Sequence, residues 1–208
     1  MRVDAARNRD AIVEAAREVF AERGADAPLD EIARRADVGI ATLYRRFPTR
    51  QELVAAAFEP KMRAYVSAVA AAVAETDPWL GFAGFVRAMC AMQAADAGFA
   101  DVLSLSFPSS AAVDRRLRAA TAGLAALIER AKEAGRLRVD FVVEDLVLVL
   151  MANAGVVNVT KEHAPAAWER LVCYLLDGFR APAASELPVP INAARLARAI
   201  RRAARSRA

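Results

Sequence analysis

Histidine is almost absent from this 208-residue chain and cysteine occurs twice, and neither is placed for chemistry. The single His163 sits in the polar connection Lys161-Glu162-His163, where a solvated or capping role is the ordinary one. Cys90 and Cys173 fall in predicted helices without CxxC or other metal-like spacing. That argues against a zinc site and a disulfide framework, and suits a reducing compartment with both thiols structural. A Gly-rich phosphate loop is also missing, because Gly81 and Gly84 in PWLGFAGF lack the spacing and the following lysine. These gaps leave an enzyme little to work with, so no catalytic residue, cofactor or metal is expected. The opening MRVDAARNRD has no apolar signal stretch. The longest apolar run, Leu146 to Val159, reads as too short for a membrane span and is interrupted by Asn153 and Asn158. The expectation is a cytoplasmic protein with no membrane partner.

Glycine and proline are scarce, at nine each, while 56% of residues are apolar, which predicts a mostly helical chain long enough to bury a real core. The net charge of +4 is unevenly spread. Residues 32 to 50 hold five arginines against Asp37, residues 186 to 208 hold six against Glu186, and the remainder is acidic on balance. Two basic segments on a mildly acidic body make an electrostatic footprint for a polyanion.

The stretch Leu29 to Arg50 reads as two short helices around a tight turn, followed by the start of another. Ile32, Ala33 and Ala36 share a face on the first, and Val38, Leu43 and Phe47 can meet them from the second. The outward set on the second helix is Ile40, Ala41, Thr42, Tyr44, Arg45 and Arg46. Guanidinium forks can bridge guanine N7 and O6, short apolar groups can touch thymine methyls, and hydroxyls can donate to phosphates, so this set suits a DNA major groove. Arg34 and Arg35 lie away from the predicted core. After Pro48, Thr49 is a candidate N-cap, and the new helix start with Arg50 is placed to hold a phosphate. Arg2, Arg7 and Arg9 read either as an arm toward DNA or as solvated terminal charges.

With Phe20 and Gly24 closing a preceding helix (Arg9 to Arg23), Ile32-Ala33, Val38, Thr42-Leu43-Tyr44, Phe47 and Leu53, residues 9 to 60 resemble the N-terminal domain of the TetR family of bacterial transcriptional regulators. Asp37 stands where such motifs often have glycine at positive φ, and aspartate tolerates that region better than most residues. Arg46 stands where the family often has histidine. The DNA-binding set expected here is Arg34, Gly39, Ile40, Ala41, Thr42, Tyr44, Arg45, Arg46, Thr49 and Arg50.

Further along, a helix from Pro78 carries Trp79, Phe82, Phe85, Val86, Met89, Met92 and Gln93, and a short helix carries Phe99, Leu103 and Phe107 up to Pro108. A long helix, Ala111 to Ala134, turns Leu117, Thr121, Leu124, Leu127 and Ile128 inward and closes at Gly135. Asp140 to Val159 is apolar all round and needs cover on both sides. The last core helix presents Trp168, Leu171, Val172, Leu175, Leu176 and Phe179. These two helices are either the monomer's own core or a dimer face of Val147, Met151, Ala154, Gly155, Trp168, Val172, Leu175 and Phe179, the second being what the resemblance implies. An effector pocket is expected from Phe82, Phe85, Met89, Gln93, Phe99, Leu103, Leu124, Ile128 and Leu150. The tail from Ala183 is open to three readings: a thin apolar stripe packed on the body, a nonspecific contact with DNA or an acidic surface, or a frayed end.

The expected architecture is all-α: a three-helix DNA-binding domain in residues 1–55, a ligand-binding and dimerisation domain in 56–182, and a basic tail in 183–208. The function it implies is a homodimeric transcriptional regulator, a repressor released from its double-stranded operator by a small hydrophobic effector. A dimeric protein that sequesters a hydrophobic ligand, with little sequence-specific DNA binding, is the competing reading.

Overall fold

The computed structural model describes residues 2–23, 27–95, 111–183, 185–192 and, in the tail, 194–196, 198, 199 and 202. Among these the chain is all-helical: α1 (Arg2–Arg23), α2 (Leu29–Arg35), α3 (Ile40–Arg46), α4 (Arg50–Ala74), α5 (Pro78–Ala95), α6 (Ala111–Glu133), α7 (Val143–Thr160) and α8 (Ala167–Phe179). β pairing among the described residues is limited to a single antiparallel bridge between Leu137 and Arg180. Gly24, Phe99, Leu103 and Phe107 lie outside the described residues, as do Ile200, Arg201, Ala203 and Arg205 of the tail.

Two apolar clusters organise the molecule. The first gathers Ile12, Ala16, Val19 and Phe20 of α1, Ile32 and Ala33 of α2, Leu43 and Phe47, and Leu53, Val54, Ala57 and Phe58 of α4. Phe20 and Phe58 stack with ring centroids 6.1 Å apart. The second is built on α5, with Phe82, Phe85, Val86 and Met89 packed against Leu124, Leu127 and Ile128 of α6, Leu146, Val149 and Leu150 of α7, and Val172 and Leu176 of α8. Each large side chain fully removed from water contributes on the order of 1.5–3 kcal/mol, so each cluster can hold a domain together. Helix α4 enters both, lending Leu53 to Phe58 to the first and Val69 and Ala72 to the second. Pro60 lies between the two sets.

Local chemistry explains most helix ends. Asp77 starts α5 by accepting from the amides of Trp79 and Leu80 at 2.8 and 3.1 Å. Gly135 ends α6 at φ +64°, its amide donating to Lys132 and the next amide to Ala131. The Val142 amide, just before α7, donates to the Asp145 carboxylate at 2.9 Å.

Four expectations need correction. Helix α1 begins at Arg2 instead of near Arg9, because the alanine- and arginine-rich start contains nothing to stop it. Arg9 is therefore on a helix and not on an arm, and its guanidinium lies over the Phe47 ring at 5.4 Å. Thr121 is exposed, although Tyr65 hydrogen-bonds to it. Helix α7 is long and apolar enough by composition to cross a membrane. Its packing on α5 and its buried Asn153 are nevertheless what a core helix shows.

The start of the tail is tied down by Arg138 and Asp140. Arg138 pairs with both Asp140 oxygens at 2.5 and 2.9 Å and donates to the carbonyls of Gly178 and Ser185 at 3.2 and 2.6 Å. Asp140 also accepts from the Leu187 amide at 2.9 Å. The Arg138 hydrogen bond, reinforced by that amide, holds the Asp140 carboxyl well below the usual carboxylate range. Leu196 is buried, so of the three readings for the tail, packing on the body holds at this residue.

Candidate nucleic-acid interface

The turn between α2 and α3 sets the geometry of the exposed helix. At the end of α2 the Asp37 amide donates to Arg34 O at 3.2 Å and the Val38 amide to Ala33 O at 3.0 Å. This is the paired pattern of a helix closed by a left-handed residue, and Asp37 adopts φ +53° there. Gly39 then caps α3 in extended conformation, its carbonyl accepting from Thr42 and Leu43 at 2.8 and 3.2 Å. Leu43 and Phe47 are buried and clamp α3 to the first cluster. That clamp fixes which side of α3 faces out: Ile40, Ala41, Tyr44 and Arg45 are exposed, with Thr42 and Arg46 half-buried beside them.

The arginines divide into two groups by their partners. Arg35 makes a bidentate pair with Glu22 at 2.6 and 2.8 Å, and Glu18 and Glu31 stand 3.8 Å away. Its hydrogen bond is the main cause of the lowered Glu22 pKa. Arg23 pairs with Glu31. Arg17 binds Glu14 at 2.7 Å and the Ala57 carbonyl at 3.1 Å. These arginines spend their charge on helix packing. Arg34, Arg45 and Arg46 form the other group, with no carboxylate partner among the described residues. The Arg45 contact with the Thr42 hydroxyl, at 3.5 Å, is long. Arg46 Nε is buried without a hydrogen-bond acceptor, a costly state.

Two members of the expected set are already engaged. Thr49 is the N-cap of α4, accepting from the Glu52 amide at 3.2 Å and donating to the Glu52 carboxylate at 3.1 Å. Arg50 turns back toward the α1–α2 connection and donates to Ala27 O at 2.6 Å, so it braces the domain instead of standing open to solvent.

In the second cluster Phe82, Phe85, Met89, Gln93, Leu124, Ile128 and Leu150 are all buried together. Asn153, which registers in the sequence only as a break in an apolar run, is fully buried in the same region. It donates to Gln93 Oε1 at 2.9 Å and to Cys90 O at 3.2 Å. Its spacing from Leu146, Val149, Leu150 and Val157 was the available signal, since it places the amide on the inward face. Burial also pushes the Cys90 thiol up to about 12, which leaves it protonated and unreactive.

The expected dimer set splits. Met151 is 51% exposed and Gly155 is exposed, with Val147 and Ala154 half-buried beside them. Trp168, Leu175 and Phe179 pack partly against the chain's own core. Val172 is only 2% exposed; it points into the monomer and is withdrawn from the interface set. Leu148, Val159 and Tyr174 are exposed on the same two helices and had not been expected to be.

The family model for bacterial regulatory proteins of the tetR family matches residues 12–57. A second, for the C-terminal domain of SbtR-like transcriptional regulators, matches residues 77–181. No curated protein matches the chain. Among solved structures, a TetR transcriptional regulator from Streptomyces coelicolor is 34% identical, with 84% of this chain and 99% of that one covered and a TM-score of 0.48. The ketosteroid transcriptional regulator KstR2 of Mycobacterium tuberculosis is 20% identical, covering 83% and 94%, with a TM-score of 0.60. The regulator FadR from Bacillus subtilis, in complex with stearoyl-CoA, is 19% identical, covering 80% and 96%, with a TM-score of 0.57. The last two share the fold. With a helix-turn-helix clamped to present α3 and family matches spanning both clusters, the chain belongs to the tetR family of DNA-binding bacterial transcription regulators.

Proposed function

We propose that the protein is a repressor that binds its operator as a homodimer and is released by a small hydrophobic effector. The observation that carries the DNA half is the partition of the arginines. Those that brace α1 and α2 are neutralised, whereas Arg34, Arg45 and Arg46 keep their charge beside the open face of α3. Helix α3 enters the major groove with Ile40, Ala41, Thr42, Tyr44, Arg45 and Arg46, while Arg34 and the start of α4 address phosphates. Two reading heads about a two-fold axis recognise two related half-sites. The exposed apolar side of α7, with Leu148, Met151 and Val159, supplies the face on which the subunits meet.

The effector occupies the second cluster among α5, α6 and α7, with Phe85, Met89, Leu124 and Leu150 as its apolar walls. It releases DNA to the extent that it binds better to the arrangement in which the heads are badly spaced. A fold relative named for a ketosteroid is in keeping with an apolar occupant.

Selection from a random DNA library, with salt varied and the mass of the protein in solution measured alongside, tests the reading. A two-fold-symmetric site bound by a dimer is the expected result. Weak, salt-sensitive binding with no enriched sequence would instead favour the sequestering protein. Leu124→Trp or Phe85→Trp is expected to block the effector; unchanged ligand binding in both would refute the placement of the pocket.

A further inference from the structure

Polar groups are rare inside the second cluster. The buried polar residues among those described are Gln93, Arg138 and Asn153. Arg138 is accounted for by Asp140, near the end of α8. Asn153 and Gln93 are different. The Asn153 amide nitrogen is used twice, on Gln93 Oε1 and Cys90 O, but Asn153 Oδ1 is buried and has no donor within hydrogen-bonding distance. A carbonyl oxygen sealed from water and left unpaired is unfavourable, and proteins keep such groups where something else supplies the partner. Its surroundings are apolar, with Met89 and Cys90 on α5 and Val149, Leu150 and Val157 on α7.

Charge narrows the partner further. No lysine, arginine or histidine is buried in this part of the cluster among the described residues. A carboxylate or phosphate placed against Asn153 would be buried without a counter-charge and would face an acceptor where it needs a donor.

We infer that the effector is a neutral, largely apolar molecule carrying a hydroxyl or N–H group, and that Asn153, oriented by Gln93, is the residue that recognises this donor. The inference rests on the reading of α5, α6 and α7 as the effector site. It deepens that reading by disfavouring a carboxylate or phosphate placed against Asn153 and by selecting alcohols and amides over ethers and hydrocarbons of the same shape. Asn153 also lies one residue from Ala152 and Ala154, on the helix whose far side is exposed, so occupation of Oδ1 bears directly on the helix proposed to join the subunits.

The test uses the full chain and two apolar bodies, dodecyl and 4-phenylbutyl, each as the alcohol, primary amide, methyl ether and carboxylate. Thermal melting and release of a selected operator are read for each compound. Alcohols and amides are expected to raise the melting temperature by several degrees and to release DNA, with ethers and carboxylates at least about tenfold weaker. In the paired variant Asn153→Leu, Gln93→Leu, the free protein is expected to melt higher than wild type. Its preference for alcohol over ether should fall to within about twofold. Because the alcohol-to-ether ratio on wild type is itself diagnostic, the inference stays testable if the paired variant does not fold. Equal binding of alcohol and ether, preference for the carboxylate, or a variant that keeps the alcohol preference overturns the role of Asn153. Absence of any melting shift across both series, in a protein that still binds its operator, overturns the effector site itself and the inference with it.

Discussion

Arg34 and Arg35 are adjacent on α2, identical in chemistry and both exposed, yet only Arg35 is paired with carboxylates, so the proposed DNA reading gives them opposite jobs, and that contrast can be measured. Each phosphate neutralised on duplex DNA contributes about 0.9 to the slope of log affinity against log salt, because a counterion is released. A symmetric dimer loses two such contacts per substitution, so Arg34→Ala is expected to flatten the slope by about 1.8. Between about 50 and 200 mM salt this means that the ratio of wild-type to variant affinity shrinks by roughly tenfold. Arg35→Ala removes a guanidinium already held by Glu22 at 2.6 and 2.8 Å, so its slope should stay within a few tenths of wild type. Its effect should appear as a modest loss of stability of the N-terminal domain, since an exposed ion pair contributes little. Fluorescence anisotropy on a selected operator at five or six salt concentrations separates the two variants. Equal flattening by both would refute the claim that the α1 carboxylates neutralise Arg35, and with it the partition on which the DNA reading stands.

Gly81→Ala is expected to lower stability by roughly 1–3 kcal/mol in urea unfolding, because a Cβ there would stand 2.4 Å from the backbone oxygen of Ala72, which cannot swing aside. A loss below about 0.5 kcal/mol would show that the α4–α5 junction yields easily. Asp37→Gly should raise stability by up to about 1 kcal/mol, since φ +53° costs an L-residue energy that glycine does not incur; a decrease would mean that the aspartate side chain stabilises the turn. Acid stability should depend on Asp140. Its carboxyl is held below the ordinary value of 3.8, so its contribution is present above that value and is lost as pH falls further, through the lowered folded-state pKa. Asp140→Asn should therefore be less stable than wild type at neutral pH, with the gap closing below about pH 4; a pH-independent gap in thermal melts would contradict this.

What could be read from the sequence follows the range of the interactions concerned. The helix-turn-helix was legible because its determinants are local: Leu43 and Phe47 must face Ile32 and Ala33, and Asp37, which tolerates positive φ better than most residues, stands where the turn needs it. The fates of Arg35 and Arg50 were not legible, since their partners Glu22 and Ala27 lie 13 and 23 residues away and no periodicity connects them. Val172 was misplaced for a different reason. The apolar stripe of α8 is broad enough to serve both a core and an interface, and only the position of α5 shows which edge is inside. Asn153 was passed over because one amide in an apolar run looks like an interruption until Gln93, 60 residues earlier, is seen beside it.

Helix α4 is where the two halves of the proposed mechanism must meet, and its fixings are asymmetric. At its far end Arg130 donates to the carbonyls of Val73 and Glu75 at 3.3 and 3.4 Å, and Gly81 lets α5 close on Ala72. At its near end Leu53, Val54, Ala57 and Phe58 are locked into the reading head. Between these anchors sits Pro60, which has no amide to complete the helical ladder and is therefore the softest point of a 25-residue rod. At 1.5 Å per residue the rod is about 37 Å long, so a tilt of only about 3° at the effector end would carry the reading head roughly 2 Å. Half-site spacing tolerates little of that. In the proposed mechanism a small rearrangement among α5, α6 and α7 would be enough to unseat one head, provided the effector's preference for the tilted state exceeds the cost of the tilt. Flexing at Pro60 would work against this: the more freely α4 flexes there, the less of the tilt reaches the head. The anchors at Arg130 and Gly81 matter because they pass any motion of α5 and α6 to α4 before that flexible point is reached.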